Sequence, residues 1–503
     1  MSGRVFLVGA GPGDPGLLTL RAAEVLAEAD LVLYDALANR KLLELAPAGA
    51  ELCLVGKRQG LTSVAQSDIE AAIVDAASAG KTVVRLKGGD PFIFGRGGEE
   101  AEACARAGIA FEVVPGVTSA VAVPAYAGIP LTHREHASSV TFVTARAGEE
   151  HAEFEPRWDS LARSGGTLVF LMGMLRAAEI SRGLTAAGMA ADTPAAAVQW
   201  GTLPQQRIVR TTVGALSEAI DAERLRPPGV IVVGGVAGIG EQIAWYQALP
   251  LFGRRIVVTR ARHQAGALAS ILERAGADVV EYPTIEICDP PDLQRLERAY
   301  REVGDYDWLV LTSPNGAERF FKGYLDAGHD IRDLAGVAVA AIGPATARIV
   351  EQRGIHVAAR PDEYRAEALV DTLGDPRGKR FLLARAAVAR ELLPDALRAK
   401  GADVDVAALY ETRRPQPPPD AALLTDIDAV TFTSSSTVTN FLALTGDAAE
   451  AILRHAVVAA IGPITADTLR DAGIEPDIVA AEYTTARLGE DLIDFFANRP
   501  ELP

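Results

Sequence analysis

Apolar-rich runs of four or five residues alternate with helical patterns along the first half of the chain. Val5–Val8 ends at Gly9, Leu17–Ala29 puts its apolar residues on one helical face, and Leu31–Tyr34 follows. Val83–Leu86, Phe111–Val114, Val140–Thr144 and Leu168–Met172 continue the series, and Val230–Val233 closes it before the glycine-rich GGVAGIG. Short apolar runs alternating with 3.6-residue periodicity predict an α/β architecture.

Near Gln242–Gly253 the pattern stops, and it restarts with a strand over Ile256–Thr259. The second half repeats itself. LVLTSPNGAERF (309–320) is matched by AVTFTSSSTVTNF (429–441), and VAAIGPATA (339–347) by VAAIGPITA (458–466). Thr312 precedes Gly343 by 31 residues, and Thr433 precedes Gly462 by 29. Matched pairs at matched spacing predict two similar α/β lobes, with the proline-rich RRPQPPPD (413–420) as a stiff connector.

The 503 residues are too many for one core and suggest roughly three domains. Net charge is −17. Residues 1–250 hold 21 Lys+Arg against 27 Asp+Glu, net −6, and residues 251–503 hold 28 against 39, net −11. Neither half is a basic nucleic-acid-binding module. Cys53, Cys104 and Cys288 are widely spaced, with no CxxC or Cys/His cluster, which argues against disulfides and structural zinc. The first residues do not read as a signal peptide, and no apolar stretch reaches the ~18 residues of a membrane span. The expectation is a cytoplasmic protein with no membrane or nucleic-acid partner.

Two loops carry candidate chemistry. GAGPGD (9–14) follows the first strand, the place of a nucleotide-binding turn. Gly9 and Gly11 fit the dinucleotide fingerprint, but Asp14 holds its last position and Pro12 lacks an N–H. A phosphate-free ligand and a plain tight turn both fit. In VVRLKGGDPFIFGRGGEE (83–100) a strand leads into a second loop, which spends five glycines around Arg96 and the paired carboxylates Glu99 and Glu100. It reads as a site more than as a solvated connection.

GAGPGDPGLLTLRA, LYDAL, VGKR, RLKGGDPFIFGRGGEE, VPGVTSA and AGIPLTHR, in that order, resemble the uroporphyrinogen-III C-methyltransferases of the tetrapyrrole methylase family over residues 3–240. The resemblance implies a two-subdomain fold, about 1–115 and 116–241, and members are usually homodimers. It implies S-adenosyl-L-methionine as donor, with S-adenosyl-L-homocysteine as product, and two methylations of uroporphyrinogen III to precorrin-2. Asp35 is the implied proton acceptor and Lys57 the donor, while Arg96, Glu99 and Arg134 grip and deprotonate the substrate. Arginine suits the macrocycle's acetates and propionates. Pro12, Gly88, Gly89, Asp90, Ile93, Thr118, Ser119, Met172 and Gly201 are implied donor-binding positions. For Met172 the residue alone reads as core packing. His133 and His136 read as polar loop residues, and no metal is implied.

IVVTRA (256–261) and LASILERAGADVVEYPTIEI open a second resemblance, to uroporphyrinogen-III synthase. It continues through the repeated segments and ALYET over residues 254–496. It implies two α/β lobes joined by a two-stranded ladder, Tyr282–Ile287 with Val406–Thr412, and a central lobe over about 288–405. The linker is then 242–253 and the synthase 254–503. The implied reaction closes hydroxymethylbilane to uroporphyrinogen III with loss of water and inversion of the last ring. That task needs a cleft that folds the substrate more than a strong nucleophile. Arg260, Thr312, Ser313, Arg385, Thr433, Ser435 and Thr465 are the implied substrate contacts, and Tyr410 the implied acid. Helix caps and turn bonds are equally good readings of the hydroxyls, as lobe packing is of Tyr410. Two other readings stay open: a non-catalytic second half, and an RNA methyltransferase, which the acidity opposes. The expected role is in sirohaem or cobalamin synthesis.

Overall fold

The computed structural model describes residues 3–56, 65–145, 156–260, 262–361, 366–389, 391–416 and 418–499, without the side chains of 262–265, 366 and 367. It divides into two compact units. One comprises residues 1–255, 272–278 and 493–503, the other 256–271 and 279–492.

The first unit holds two five-stranded sheets. In the first, β1 (Arg4–Gly9), β2 (Leu31–Tyr34), β3 (Glu51–Leu54), β4 (Thr82–Lys87) and β5 (Ala110–Val114) lie in the order β3-β2-β4-β1-β5, all parallel. Phe6, Val8, Val84 and Leu86 meet Val25 and Leu42 on one face, and Val5, Leu7 and Val83 meet Ile73 and Cys104 on the other. Burial on both faces explains why the strands read as nearly continuous apolar runs. β4 breaks that rule with Arg85 and Lys87, both buried. The second sheet orders β6 (Val140–Thr144), β7 (Thr167–Leu171), β8 (Pro194–Gln199), β9 (Arg207–Thr212) and β10 (Gly229–Val233) as β6-β7-β10-β8-β9. Only its β6–β7 pairing is parallel.

Residues 242–253, expected as a linker, are not a bare connection. Tyr246 and Leu251 are buried. Tyr246 and Trp245 pack against Tyr126 at 4.8 and 4.9 Å between ring centroids, and Trp245 Nε1 donates to the Ala125 carbonyl at 3.1 Å.

In the second unit, β11 (Arg255–Val258) and β12 (Asp278–Glu281) share a sheet with strands from the far end of the chain. β13 (Glu286–Cys288), β14 (Trp308–Leu311), β15 (Ala338–Ala341), β16 (Val357–Ala359), β17 (Arg380–Ala386) and β18 (Asp403–Arg413) form the central sheet. β19 (Ala429–Phe432), β20 (Val457–Ala460) and β21 (Ile478–Val479) return to the first. The orders are β12-β11-β19-β20-β21 and β13-β18-β17-β14-β15-β16. The sequence repeat is one strand–helix–strand–helix module used twice. β14, helix Pro314–Asp326, β15 and helix Pro344–Glu351 correspond to β19, helix Ser435–Thr445, β20 and helix Pro463–Asp471. Each IGP segment is a helix start, with glycine at the N-cap and proline in the first turn.

The ladder is shorter and later than expected. Glu286–Cys288 pairs antiparallel with Glu411–Arg413. Residues 282–284 stay with β11, since Tyr282 and Thr284 N–H groups donate to Val258 and Thr259 at 3.0 and 3.1 Å. Val406–Ala408 and Tyr410 are claimed by β17 in parallel register. The strands of the central sheet run in sequence from Glu286 to Arg413. Among the described residues, no helix is long and apolar enough to cross a membrane.

Candidate active site

β1 and β4 end side by side, and the loops beyond them interlock. The Ala10 N–H donates to the Lys87 carbonyl at 2.7 Å, and Gly89 and Gly11 exchange backbone bonds of 2.7 and 3.2 Å. Gly9, Gly89 and Gly116 pack main chain on main chain. A Cβ on Gly116 would stand 2.3 Å from the Gly89 oxygen, and one on Gly9 2.5 Å from the Gly116 Cα. Asp90 clamps this crossing, accepting from Phe92 N–H at 2.8 Å and Gly116 N–H at 3.1 Å. Gly89 also lies against Thr118 and Ser119, where the Thr118 hydroxyl caps helix Ser119–Tyr126.

The Pro12 turn reaches the second sheet. The Asp14 N–H donates to Thr202 Oγ1 at 3.2 Å, and its carboxylate accepts from Gly16 N–H at 2.7 Å and the Tyr126 hydroxyl at 2.6 Å. Burial first, then this bond, pushes the Tyr126 hydroxyl well above its ordinary pKa, so it remains a donor. Asp14 is thus a turn builder. Gly201 lies against Val123, 2.4 Å from where a Cβ would stand. Pro12, Gly88–Asp90, Thr118, Ser119 and Gly201 therefore converge. Met172 follows β7 at the same end of the second sheet, where Leu171 faces Val230 and Val230 faces Val198. It is 46% exposed, so it is not the core residue its type suggested.

Backbone strain marks the same loops. Phe94, Arg96, Met172, Trp200 and Thr202 adopt φ of 53°, 59°, 57°, 50° and 71°. Such positions cost about 1–3 kcal/mol each and concentrate at functional sites.

Asp35 stands at the end of β2, half-buried, beside the cradle. Gly88 N–H donates to its Oδ2 at 3.3 Å, and Arg85 Nη2 to its Oδ1 at 2.5 Å. Arg85 Nε donates to Glu100 Oε1 at 3.0 Å, Lys87 Nζ to the same oxygen at 2.8 Å, and Gln66 Nε2 at 3.3 Å. Arg85, Lys87 and Glu100 are 3%, 2% and 0% exposed. Glu100 Oε2 has no hydrogen-bond partner among the described residues. Burial, then the neighbouring Arg85, lowers the Lys87 pKa.

Arg96 makes a bidentate pair with Glu99, at 2.9 and 2.6 Å, on the exposed start of helix Gly97–Arg106. An exposed pair of this kind is typically worth about 0–1 kcal/mol. Arg134 is exposed, with no hydrogen-bond or ion-pair partner among the described residues. Lys57 lies outside the described residues. Around Arg134, His133, Glu135 and His136 each bring one possible ligand atom within 4.8 Å of the others. These histidines were expected as polar loop residues, and His133 Nδ1 accepts from the Glu135 N–H at 3.2 Å.

In the second unit Arg260, Thr312, Ser313 and Thr433 follow the carboxyl ends of β11, β14 and β19, the end at which α/β sheets bind ligands. Thr312 and Thr433 follow β14 and β19, both half-buried. Ser313 is the N-cap of helix Pro314–Asp326, accepting from Gly316 N–H at 3.0 Å, and lies 3.4 Å from the Tyr410 hydroxyl. Tyr410 is 7% exposed, within the lobe core. Arg260 is half-buried after β11, and burial lowers its pKa.

Family models match residues 4–217, as tetrapyrrole (corrin/porphyrin) methylases, and 266–490, as uroporphyrinogen-III synthase HemD. A porphyrin biosynthesis protein HemD of Ruminiclostridium josui is 37% identical over 489 residues, covering 96% of each chain. The chain is a tetrapyrrole methylase fused to a uroporphyrinogen-III synthase. A uroporphyrinogen-III C-methyltransferase of Bacillus subtilis is 45% identical over 246 residues, 49% of this chain and 95% of the relative. The solved uroporphyrin-III C-methyl transferase of Thermus thermophilus, complexed with S-adenyl homocysteine, is 40% identical with a TM-score of 0.41, covering 47% of this chain and all of that one.

Three expected synthase contacts are placed otherwise. Thr465 is 4% exposed, since the third residue of its helix turns into the core while Ile464 faces outward. Its repeat partner Thr346 is buried in the same way. Ser435 accepts from Thr468 at 2.7 Å and so ties two helices, and the counterpart of Ser313 is Ser434, the N-cap of helix Ser435–Thr445. Arg385 is 4% exposed and its guanidinium is engaged by Glu391, so it is not presented to a cleft. In the methylase half, Arg85, Lys87 and Glu100 were missed. Two cations at i and i+2 of a central strand were the available signal, because buried charges demand partners.

Proposed function

We propose that the methylase half transfers methyl groups from S-adenosyl-L-methionine to two rings of uroporphyrinogen III, giving precorrin-2. The synthase half would make that substrate from hydroxymethylbilane. The observation that carries the reading is the contact between the glycine cradle and Asp35, with Gly88 N–H bonded to the carboxylate. Bare backbone at Gly88, whose Cβ would meet nothing nearer than Leu37 at 3.6 Å, fits close approach of an apolar-bodied donor. The neighbouring carboxylate suits that donor's positive charge. Bound there, the donor supplies an electrophilic sulfonium methyl.

Pro12, Gly88, Gly89, Asp90, Ile93, Thr118, Ser119, Met172 and Gly201 would hold it. Asp35, oriented by Gly88 and Arg85, takes the proton that the methylated macrocycle must lose. Arg134 and Arg96 grip the macrocycle's carboxylates, with Glu99 released to assist deprotonation, and Lys57 returns a proton. Holding donor and pyrrole carbon in line supplies most of the rate.

In the synthase half, Arg260, Thr312, Ser313 and Thr433 would fold the bilane so that inverted closure outruns the simple one. Feeding hydroxymethylbilane and donor to the full chain should yield precorrin-2 and S-adenosyl-L-homocysteine. Accumulation of the type I isomer alone would overturn the synthase reading. Tyr410→Phe should slow closure by less than about tenfold, the loss of one neutral hydrogen bond. A larger fall in initial rate would make Tyr410 an essential acid.

A further inference from the structure

We propose that Glu100 and Lys87 are positioning residues for methyl transfer, a buried charge pair that holds the Arg85 guanidinium on Asp35. The inference rests on the reading of Asp35 as the proton acceptor.

The geometry is a relay. Asp35 is 30% exposed, at the surface of the site, and its Arg85 partner is 3% exposed beneath it. Arg85 spans the two carboxylates, Nη2 on Asp35 and Nε on Glu100, while Nη1 donates to the Leu33 and Leu86 carbonyls at 3.3 Å. Five donors in a rigid fork leave it one orientation. Glu100 receives Arg85, Lys87 and Gln66 on a single oxygen, which sets where the guanidinium lies. Lys87 lies two residues along β4, on the same face of the sheet as Arg85. Its charge balances Glu100, so Arg85 is left to serve Asp35.

A stability role alone is a poor account. Apolar residues of similar volume in place of a buried ionic group are often neutral or stabilising. Here the group runs from the core to a half-exposed carboxylate in the site. The charged and titratable groups facing Glu100 among the described residues are Arg85 and Lys87 from β4 and Cys104 on its own helix. The neutral Gln66 faces it from helix Gln66–Ser78. Burial, then the Glu100 charge, raises the Cys104 pKa, so that thiol stays neutral. Asp35 is the carboxylate beyond Arg85.

The signs follow from charge. In Glu100→Gln, the Arg85 and Lys87 charges fall on Asp35 alone. It stays ionised to lower pH as a weaker base, so the acid limb of kcat/KM moves down in pH and kcat falls. In Lys87→Met, Glu100 has only Arg85 and draws it inward, so the acid limb moves up. In the double variant both charges are gone and the new amide oxygen at position 100 still accepts from Arg85 Nε, so limb and rate return towards wild type.

The experiment measures methyl transfer to supplied uroporphyrinogen III across pH, with the full chain and these three variants. Opposite shifts in the single variants, a fall in kcat of about tenfold or more and recovery in the double variant are expected. If Glu100→Gln does not fold, the Lys87→Met shift and the double variant's rate decide. Acid limbs that coincide with wild type, or a double variant no better than the worse single one, would overturn the inference. A wild-type chain that transfers no methyl group would overturn the functional reading instead.

Discussion

Asp35→Asn is expected to slow methyl transfer by about 10²- to 10⁴-fold, the range that a positioned base contributes. The amide keeps the shape, but its single oxygen can accept from Arg85 or from Gly88, which the carboxylate serves with separate oxygens, and it cannot take a proton. The fold should survive. Arg85 keeps Glu100, and Lys87, whose pKa burial and Arg85 already lower, can release its proton and restore the balance of the buried group. The check is the initial rate of S-adenosyl-L-homocysteine formation beside a thermal melt. A melt within a few degrees of wild type with a rate reduced at least a hundredfold is the expected pair. A rate within a few-fold of wild type would remove Asp35 from the chemistry.

The second large effect is structural in origin. Gly116→Ala should weaken donor binding by tenfold or more and cost about 1–3 kcal/mol of stability, as overpacking does. The new methyl would stand 2.3 Å from the Gly89 oxygen and 2.7 Å from the Gly9 Cα. Those are main-chain atoms, so the crossing of the β1 and β4 loops must open. The Asp90 bond to Gly116 N–H opens with it, carrying Gly88 away from Asp35. Calorimetric titration with S-adenosyl-L-homocysteine reads the binding. Gly98→Ala is the control, since nothing lies within 4 Å of its added Cβ. Equal affinity in the two variants would show that the glycine crossing does not shape the donor site.

Much of the molecule was legible along the chain. β1, β2 and β11 appear within a residue or two of the apolar runs that predicted them, because strand formation follows a local period. The repeat over 309–347 and 429–466 predicted two matched modules, since a similar local sequence builds a similar strand–helix start. The loops around Gly9 and Gly88 were marked by glycine density, and they form the cradle. The hydroxyls were less legible. Ser313, Ser435 and Thr465 carry the same chemical signature in the sequence, yet one caps a helix, one ties two helices and one is buried. Which way a side chain faces depends on its position within the helix turn and on what packs against it.

The sequence by itself determined the α/β class, the division into a methylase half and a synthase half, and the loops where chemistry is concentrated. Each of these is written in short-range pattern or ordered motifs. Only the tertiary structure decided the ladder register, the burial of Thr465 and Arg385, and the group joining Asp35, Arg85, Lys87 and Glu100. Asp35 and Arg85 are separated by 50 residues. Their pairing arises because β2 and β4 lie side by side in the sheet and because a charge removed from water must find its opposite. The acidity of the chain could not foretell that arrangement, since electrostatic partners are chosen by distance in space.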